Sequence, residues 1–235
     1  TIDRWTARSS DQVWCVSKII LDHRKSQGIT AARIFYVPNT PSLYAVERIK
    51  GKQKDIHKLV MVGNIVSTLD YEFMIRAMDH LRRIYPDITL TIVGGGSHME
   101  KLKHLAISQG LEKVIEFTGP LQHVDVITLL KSCGIGIALY TGDCSTNVSG
   151  DSMKIREYLA CELPVITTNV TETAAVVKKY NAGNVIKIDT RSFIQKIQHM
   201  FNRDRYQEYQ SNAKRAAKDF DFDTMIGVPL RKFDL

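Results

Sequence analysis

No stretch of the 235 residues stays apolar for the ~18 positions that a membrane-crossing helix needs, which excludes a helical span. Nor does any segment carry the ordered charged, apolar and small-residue regions of a signal peptide. Cysteine is scarce and scattered. Cys15, Cys133, Cys144 and Cys161 make no C-x-x-C pair and have no paired histidine ligands, which argues for reduced thiols in a cytosolic protein and against a zinc or disulfide framework. Several signatures of nucleotide and hydrolytic chemistry are missing. Without G-x-x-x-x-G-K-S/T there is no P-loop, and without G-x-S-x-G or H-E-x-x-H there is neither a serine elbow nor a zincin helix. Gly94-Gly95-Gly96 lacks the G-x-G-x-x-G spacing of a dinucleotide fingerprint and reads instead as a tight strand-to-helix turn. The seven histidines are scattered, and His98, His104 and His123 read as surface or helix-cap residues rather than catalysts.

What is present is ordinary in bulk, with 44% hydrophobic and 24% charged residues, and the length suits one large domain or one and a half. The net charge of +7 favours an anionic partner: a nucleotide, an anionic membrane surface or a nucleic acid. Nucleic acid is disfavoured, because the basic run 48–58 has no interleaved aromatic residues. Arg48, Lys50, Lys52 and Lys54 in that run read as a solvated connector. The chain opens on Thr1 rather than Met, and we expect a fragment.

Apolar runs and amphipathic periods alternate along the chain. Strands are expected at 11–17 and 32–37 around a helix at 18–27, followed by a turn and linker over 40–57. From Lys58 onward strands at 59–63, 88–93, 114–118, 134–140, 163–168 and 184–188 alternate with helices at 70–84, 98–109, 122–132, after 151, 172–181 and 191–202. That alternation predicts an α/β fold, a Rossmann-like parallel sheet with helices on both faces. The expected organisation is the end of a first domain over 1–45, a linker over 46–57, the Rossmann-like domain over 58–204, and a helix and docking tail over 205–235.

The central stretch is 145–168. Ser145, Thr146, Asn147, Ser149, Gly150 and Asp151 form a polar loop, Asp151 or Ser152 can cap the helix that follows, and Leu163 to Thr168 reads as a buried strand. A helix opening beside a parallel sheet presents free N–H groups to an anion. Lys154 and Glu157 share a face of that helix. Lysine in a first turn opposes the helix dipole, and lysine before glutamate is the poorer pairing order. Two readings stand: a surface ion pair worth about 0–1 kcal/mol, or a phosphate held by Lys154 beside ribose hydroxyls held by Glu157.

The order of these motifs resembles a known family. A strand ending at Gly63, a strand ending at Gly94-Gly95-Gly96, Glu116-Phe117-Thr118-Gly119, and D-S-M-K-I-R-E-Y-L-A-C-E-L-P-V-I-T-T at 151–168 are similar to the C-terminal, donor-binding domain of retaining B-fold glycosyltransferases of the family-four and group-one clan. The segment 11–39 resembles the end of the N-terminal, acceptor-side domain of the same enzymes.

The resemblance implies the second domain of a B-type glycosyltransferase fold plus the end of the first. It implies transfer of a sugar, with retention, from a nucleoside-diphosphate sugar to an acceptor, with this chain supplying mainly the donor site and inactive alone. The second Glu of the family's Glu-x7-Glu motif, which holds the ribose, falls on Glu157, whereas the first falls on Ser149. An Arg and a Lys that clamp the diphosphate in many relatives fall on Asn64 and Asp70, leaving Lys154 as the substitute charge. The implied donor-binding set is Gly63, Asn64, Thr118, Gly119, Ser149, Gly150, Asp151, Ser152, Met153, Lys154 and Glu157, with the base against the 117–120 turn and the 151–153 amides facing the phosphates. No catalytic residue is assigned, because the acceptor site would lie on the other domain. No metal or other cofactor is expected. The expected partners are the nucleotide sugar, the N-terminal domain of the same protein and an anionic membrane surface, and the expected location is cytoplasmic, peripheral to the membrane. Two alternatives are a nucleotide-sugar 2-epimerase on the same fold and a non-catalytic nucleotide-sugar-binding or partner-docking domain.

Overall fold

The computed structural model describes residues 2–67 and 69–231, the side chain of Thr146 excepted. The first segment is α1 (Ile2–Ser9), β1 (Val13–Cys15), α2 (Lys18–Ser26) and β2 (Ile34–Tyr36), with β1 and β2 paired in parallel. Helix α1 was not expected from the sequence. It packs only Ala7 into this small core, beside Cys15, Ile29 and Ile34.

The expected turn and linker contains structure. Helix α3 (Leu43–Arg48) forms there, capped by the Ser42 hydroxyl on the Ala45 N–H. Its Val46 and Ile49 carbonyls accept from the Lys131 ammonium at 2.6 Å each. Strand β3 (Asp55–Val62) begins four residues earlier than its apolar run, because its start pairs with Cys133 rather than packing in the core. Chain order then runs α4 (Tyr71–Ile84), β4 (Thr89–Val93), α5 (Met99–Ser108), β5 (Ile115–Gly119), α6 (His123–Leu130) and β6 (Cys133–Ala138). It continues with α7 (Ser145–Ser149), α8 (Met153–Ala160), β7 (Val165–Thr168), α9 (Thr173–Tyr180), β8 (Gly183–Ile186), α10 (Thr190–Met200), α11 (Arg203–Lys218) and α12 (Phe222–Leu230). The loop expected before α8 thus includes one short helix. The tail is the helix α12, tied to the first segment by Gln12 donating to the Pro229 carbonyl at 3.0 Å. Residues 232–235 of that tail lie outside the described residues.

Strands β3 to β8 form a six-stranded sheet in the order β5-β4-β3-β6-β7-β8, every neighbouring pair parallel. Helices flank it. The apolar face of α4 is buried through Tyr71, Met74, Ile75, Ala77, Met78 and Leu81. Chain order reverses between β3 and β6. In open parallel sheets that switch point, at the carboxyl ends of the strands, is where a ligand crevice opens. Among the described residues no helix is long and apolar enough to cross a membrane.

One buried contact ties the segments together. Arg156 on α8 donates to Asp151 through Nη2 at 2.7 Å and through Nε at 3.1 and 3.2 Å, with the two side chains 2% and 0% exposed. The Asn39 N–H reaches the other face of that carboxylate at 2.7 Å, and Arg156 Nη2 also donates to the Tyr36 hydroxyl at 3.2 Å. The Arg156 guanidinium stacks 4.4 Å above the Phe220 ring, which helps to accommodate Nη1, a buried group without a hydrogen-bond acceptor. Strand β2, the crevice loop, α8 and the chain after α11 therefore meet at one guanidinium. Removing one partner of such a pair strands the other charge, at a cost of about 3–5 kcal/mol. Arg156→Met is expected to lower the unfolding free energy in urea by about that much, and adding Asp151→Asn should recover a large part of it. A loss below about 1 kcal/mol in the single variant would contradict this role.

Candidate functional site at the switch point

The crevice is shaped by how β3 and β6 part. Their ladder runs to Val60 opposite Gly136. Two residues further on, the Val62 N–H donates to the Tyr158 hydroxyl at 2.9 Å, and that hydroxyl reaches back to the Ile137 carbonyl at 3.4 Å. The Tyr158 side chain of α8 thus replaces one rung of the sheet. Gly136 makes room for it, since a Cβ there would stand 2.4 Å from the tyrosine ring. Burial pushes the Tyr158 phenol well above its ordinary pKa, so it remains a neutral donor.

One turn earlier, Lys154 lies across the end of β3. A Cβ on Gly63 would meet Lys154 Cε at 2.2 Å and Nζ at 3.3 Å, and Gly63 has φ of +152°, so both space and backbone favour glycine. The ammonium is therefore held over a bare peptide. Burial pushes its pKa below the ordinary lysine value, opposed by the Glu157 carboxylate. A half-buried cation without a close counter-charge is the electrostatic setting that an anion relieves. Among the described residues Glu157 is not paired with Lys154, which disposes of the surface ion pair. Its carboxylate, 11% exposed, is bound by His123 Nε2 at 2.7 Å. His123 opens α6 and is 64% exposed.

The ends of the neighbouring strands complete the floor. Gly63 N–H donates to the Val93 carbonyl at 2.9 Å, and Gly94 N–H donates to the Gly119 carbonyl at 3.0 Å. The 94–96 run packs its backbone on 63–65, with Ile65 N–H donating to the Gly95 carbonyl at 2.9 Å. It is a packing turn, as the sequence suggested. Thr118 and Gly119 therefore lie two strands from Gly63, and the chain after them leads to His123.

The structure brings Gly63, Lys154 and Glu157 together, with Thr118 and Gly119 two strands away at the end of β5. Asn64 follows Gly63, and its carbonyl accepts from the Tyr71 hydroxyl at 3.3 Å. Asp70 caps α4 through Phe73 N–H at 2.9 Å. Ser152 is the cap of α8, accepting from Ile155 N–H at 3.3 Å and bonded to the Tyr140 hydroxyl. The remaining loop residues do other work. Asp151 is enclosed by Arg156 and Asn39, so its carboxylate is not presented to the crevice. Ser149 donates to the Ser145 carbonyl at 2.8 Å, while its own carbonyl accepts from Ser17 at 2.6 Å, so this segment and Gly150 are braced against α2. Met153 faces a different hollow, with Trp14, Pro38 and Phe222. His123 is exposed and opens α6, as the sequence suggested, but its bond to Glu157 was not foreseen. Its partner is 34 positions away, and nothing local in a helix-opening histidine reveals that. Among the described residues no cluster of three His, Cys, Asp or Glu side chains is placed to hold a metal ion.

Tyr158→Phe tests the crevice geometry. It leaves the Val62 N–H without its acceptor inside the sheet, a loss of about 1–3 kcal/mol. We expect that drop in urea unfolding with the far-ultraviolet spectrum unchanged. An unchanged midpoint would mean that water or the strand backbone replaces the phenol.

Comparison with known proteins agrees with this architecture. The sequence matches the family described as glycosyl transferases group 1 over residues 45–219. It is 27% identical over 135 residues to a GDP-mannose-dependent alpha-(1-6)-phosphatidylinositol monomannoside mannosyltransferase of Mycolicibacterium smegmatis, a match covering 54% of this chain and 34% of the relative. The fold superposes on the pneumococcal O-GlcNAc transferase GtfA, solved with UDP and GlcNAc, with a TM-score of 0.80 at 12% identity, over 99% of this chain and 46% of that one. HepE of Anabaena, solved with UDP and glucose, gives 0.79 at 16% identity, over 99% of this chain and 66% of that one. The chain thus spans between about a third and two thirds of the lengths of these proteins. A match over most of the sequence, on a sheet with this strand order, establishes that the chain belongs to the group 1 glycosyl transferases and carries the second domain of their B-type fold.

Proposed function

We propose that this chain is the donor-binding part of a retaining glycosyltransferase, and that its switch-point crevice holds the nucleoside diphosphate of a sugar nucleotide. The observation that carries this is Lys154, a half-buried cation laid over the bare backbone of Gly63, one turn from Glu157. A diphosphate above Gly63 would pair with the Lys154 ammonium. Ser152 occupies the Ile155 amide, which leaves the amides of Met153 and Lys154 to the anion. Glu157 would release exposed His123 and accept the ribose hydroxyls, with the base against the 117–120 turn. Transfer breaks the bond between the sugar and the diphosphate, and negative charge builds on the leaving phosphate. Fixed positive groups at that point stabilise the transition state more than the ground state. Lys154 supplies that charge in place of a metal. The acceptor and any proton-accepting group belong to the other domain, so the chain alone binds donor with little or no transfer.

The UDP complexes of GtfA and HepE and the GDP-mannose dependence of the mycobacterial relative support a nucleotide sugar as ligand. A second reading, donor binding without transfer, is favoured by Ser149. It stands where the resemblance implies a sugar-contacting Glu, and its hydroxyl is engaged by Ser145. A sugar-transfer assay of the full-length protein separates the two. The net charge of +7, and a relative named for a phosphatidylinositol mannoside acceptor, support a lipid-linked acceptor at an anionic, cytoplasmic membrane face.

Calorimetric titration with UDP, GDP and ADP tests the donor site. One nucleotide is expected to bind, and Glu157→Ala to weaken it tenfold or more, about 1.4 kcal/mol. Equal affinity in the variant would remove Glu157 from the site. For the membrane part, full-length protein should sediment with phosphatidylserine-rich vesicles at low salt and come off as salt rises. Failure to sediment removes that part of the proposal.

A further inference from the structure

The basic run that the sequence presented as a solvated connector ends at a partly open hollow. Lys54 is half-buried at the entry to β3, at the end of the sheet opposite the crevice. It lines a cavity of ≈ 670 Å³ bounded by α3, the 51–56 segment, Lys131, the end of α8 and one face of α11. Such a volume suits a small organic molecule. Strand β3 separates this cavity from Gly63 by eight residues, roughly 25 Å at ~3.3 Å per residue.

The wall is unbalanced in charge. Lys52, Lys54, Lys131, Arg203, Lys214 and Lys218 face two carboxylates, Glu47 and Glu162. Lys131 is occupied by the Val46 and Ile49 carbonyls, and Lys214 by Glu162 at 2.7 Å. Lys54 has no such partner among the described residues. Its Nζ reaches only the Leu130 carbonyl, at 3.4 Å, and burial pushes its pKa below the ordinary lysine value. The second observation is independent of charge. Tyr206 on α11 lines the same cavity, is 5% exposed, and has a buried hydroxyl with no hydrogen-bond partner. A buried hydroxyl left unpaired is unfavourable, and such groups in native structures call for an explanation. Leu43, Ile56, Ala160 and Ala217 supply apolar wall between these polar groups.

We propose that this cavity is a second binding site, for a small organic anion: a phosphate monoester or carboxylate on an apolar body, its charge on Lys54, its oxygen accepting from the Tyr206 hydroxyl after a small rotation of that buried side chain, and its body against Leu43 and Ala217. It is separate from the sugar-nucleotide crevice and does not depend on that assignment.

The probe is phenyl phosphate, titrated calorimetrically into the 235-residue chain carrying Lys154→Ala, which disables the crevice. Saturable one-to-one binding is expected, at least tenfold tighter than inorganic phosphate, and at least tenfold weaker once Lys54→Met is added. Tyr206→Phe should weaken the probe while raising the melting temperature of the ligand-free chain, because the unpaired hydroxyl is gone. That variant decides the matter if Lys54→Met does not fold. Absence of saturable binding at millimolar phenyl phosphate would overturn the proposal. So would binding that Lys54→Met leaves unchanged or, if that variant does not fold, binding that Tyr206→Phe leaves unchanged. Binding found in the parent chain and lost with Lys154→Ala alone would assign the probe to the crevice and equally overturn it.

Discussion

Two parallel strands that part at their carboxyl ends leave backbone groups unpaired inside a sheet, and that constraint organises the rest of this molecule. The gap between β3 and β6 is closed by a phenol rather than by a rung of the ladder, since the Val62 N–H goes to Tyr158. Once Tyr158 is fixed there, the rotation of α8 is fixed, and so are the side chains one turn before it. Lys154 is carried over Gly63, and Glu157 is turned towards the 117–123 side of the crevice, where His123 meets it.

The same short helix also holds the molecule together. Arg156 lies between Lys154 and Tyr158 in sequence but faces the first segment and Phe220, where it gathers Asp151, Tyr36 and the chain after α11. Residues that brace the fold and residues that face the crevice thus share five positions of one helix. Stability and site geometry are coupled as a consequence. A change that frees Arg156 loosens both the junction of the segments and the frame that aims Lys154. The lysine pays for its position with a desolvated charge, which fits a group whose intended partner is an anion.

Much of the fold was legible because it is local. Apolar strands alternating with amphipathic helices define a parallel α/β sheet, and the boundaries moved by only a few residues where a ladder ended or began against a neighbour. Gly63 and Glu157 were singled out by a family resemblance and Lys154 by its spacing on α8, and the fold sets Lys154 over Gly63 one turn before Glu157. What could not be read depends on distant partners. Asp151 looks like a loop ligand until Arg156 and Asn39 enclose it. Lys54 looks solvated until the fold half-buries it in a hollow walled by α3 and α11. His123 looks like a cap until Glu157 approaches from another helix. Helix α3 has only six residues, and its carbonyls are satisfied by a lysine far along the chain, so its own composition could not announce it.

The central claim is that the switch-point crevice, and no other surface, receives the nucleoside diphosphate. Amide NMR of the isotope-labelled chain, titrated in turn with UDP, GDP and ADP, tests it most directly. One nucleotide should shift the resonances of Gly63, Gly94, Thr118, Gly119, His123 and residues 152–157 together, with a single saturation curve. Shifts confined to the opposite end of the sheet, around Lys54 and Tyr206, with Gly63 and Lys154 silent, would contradict it.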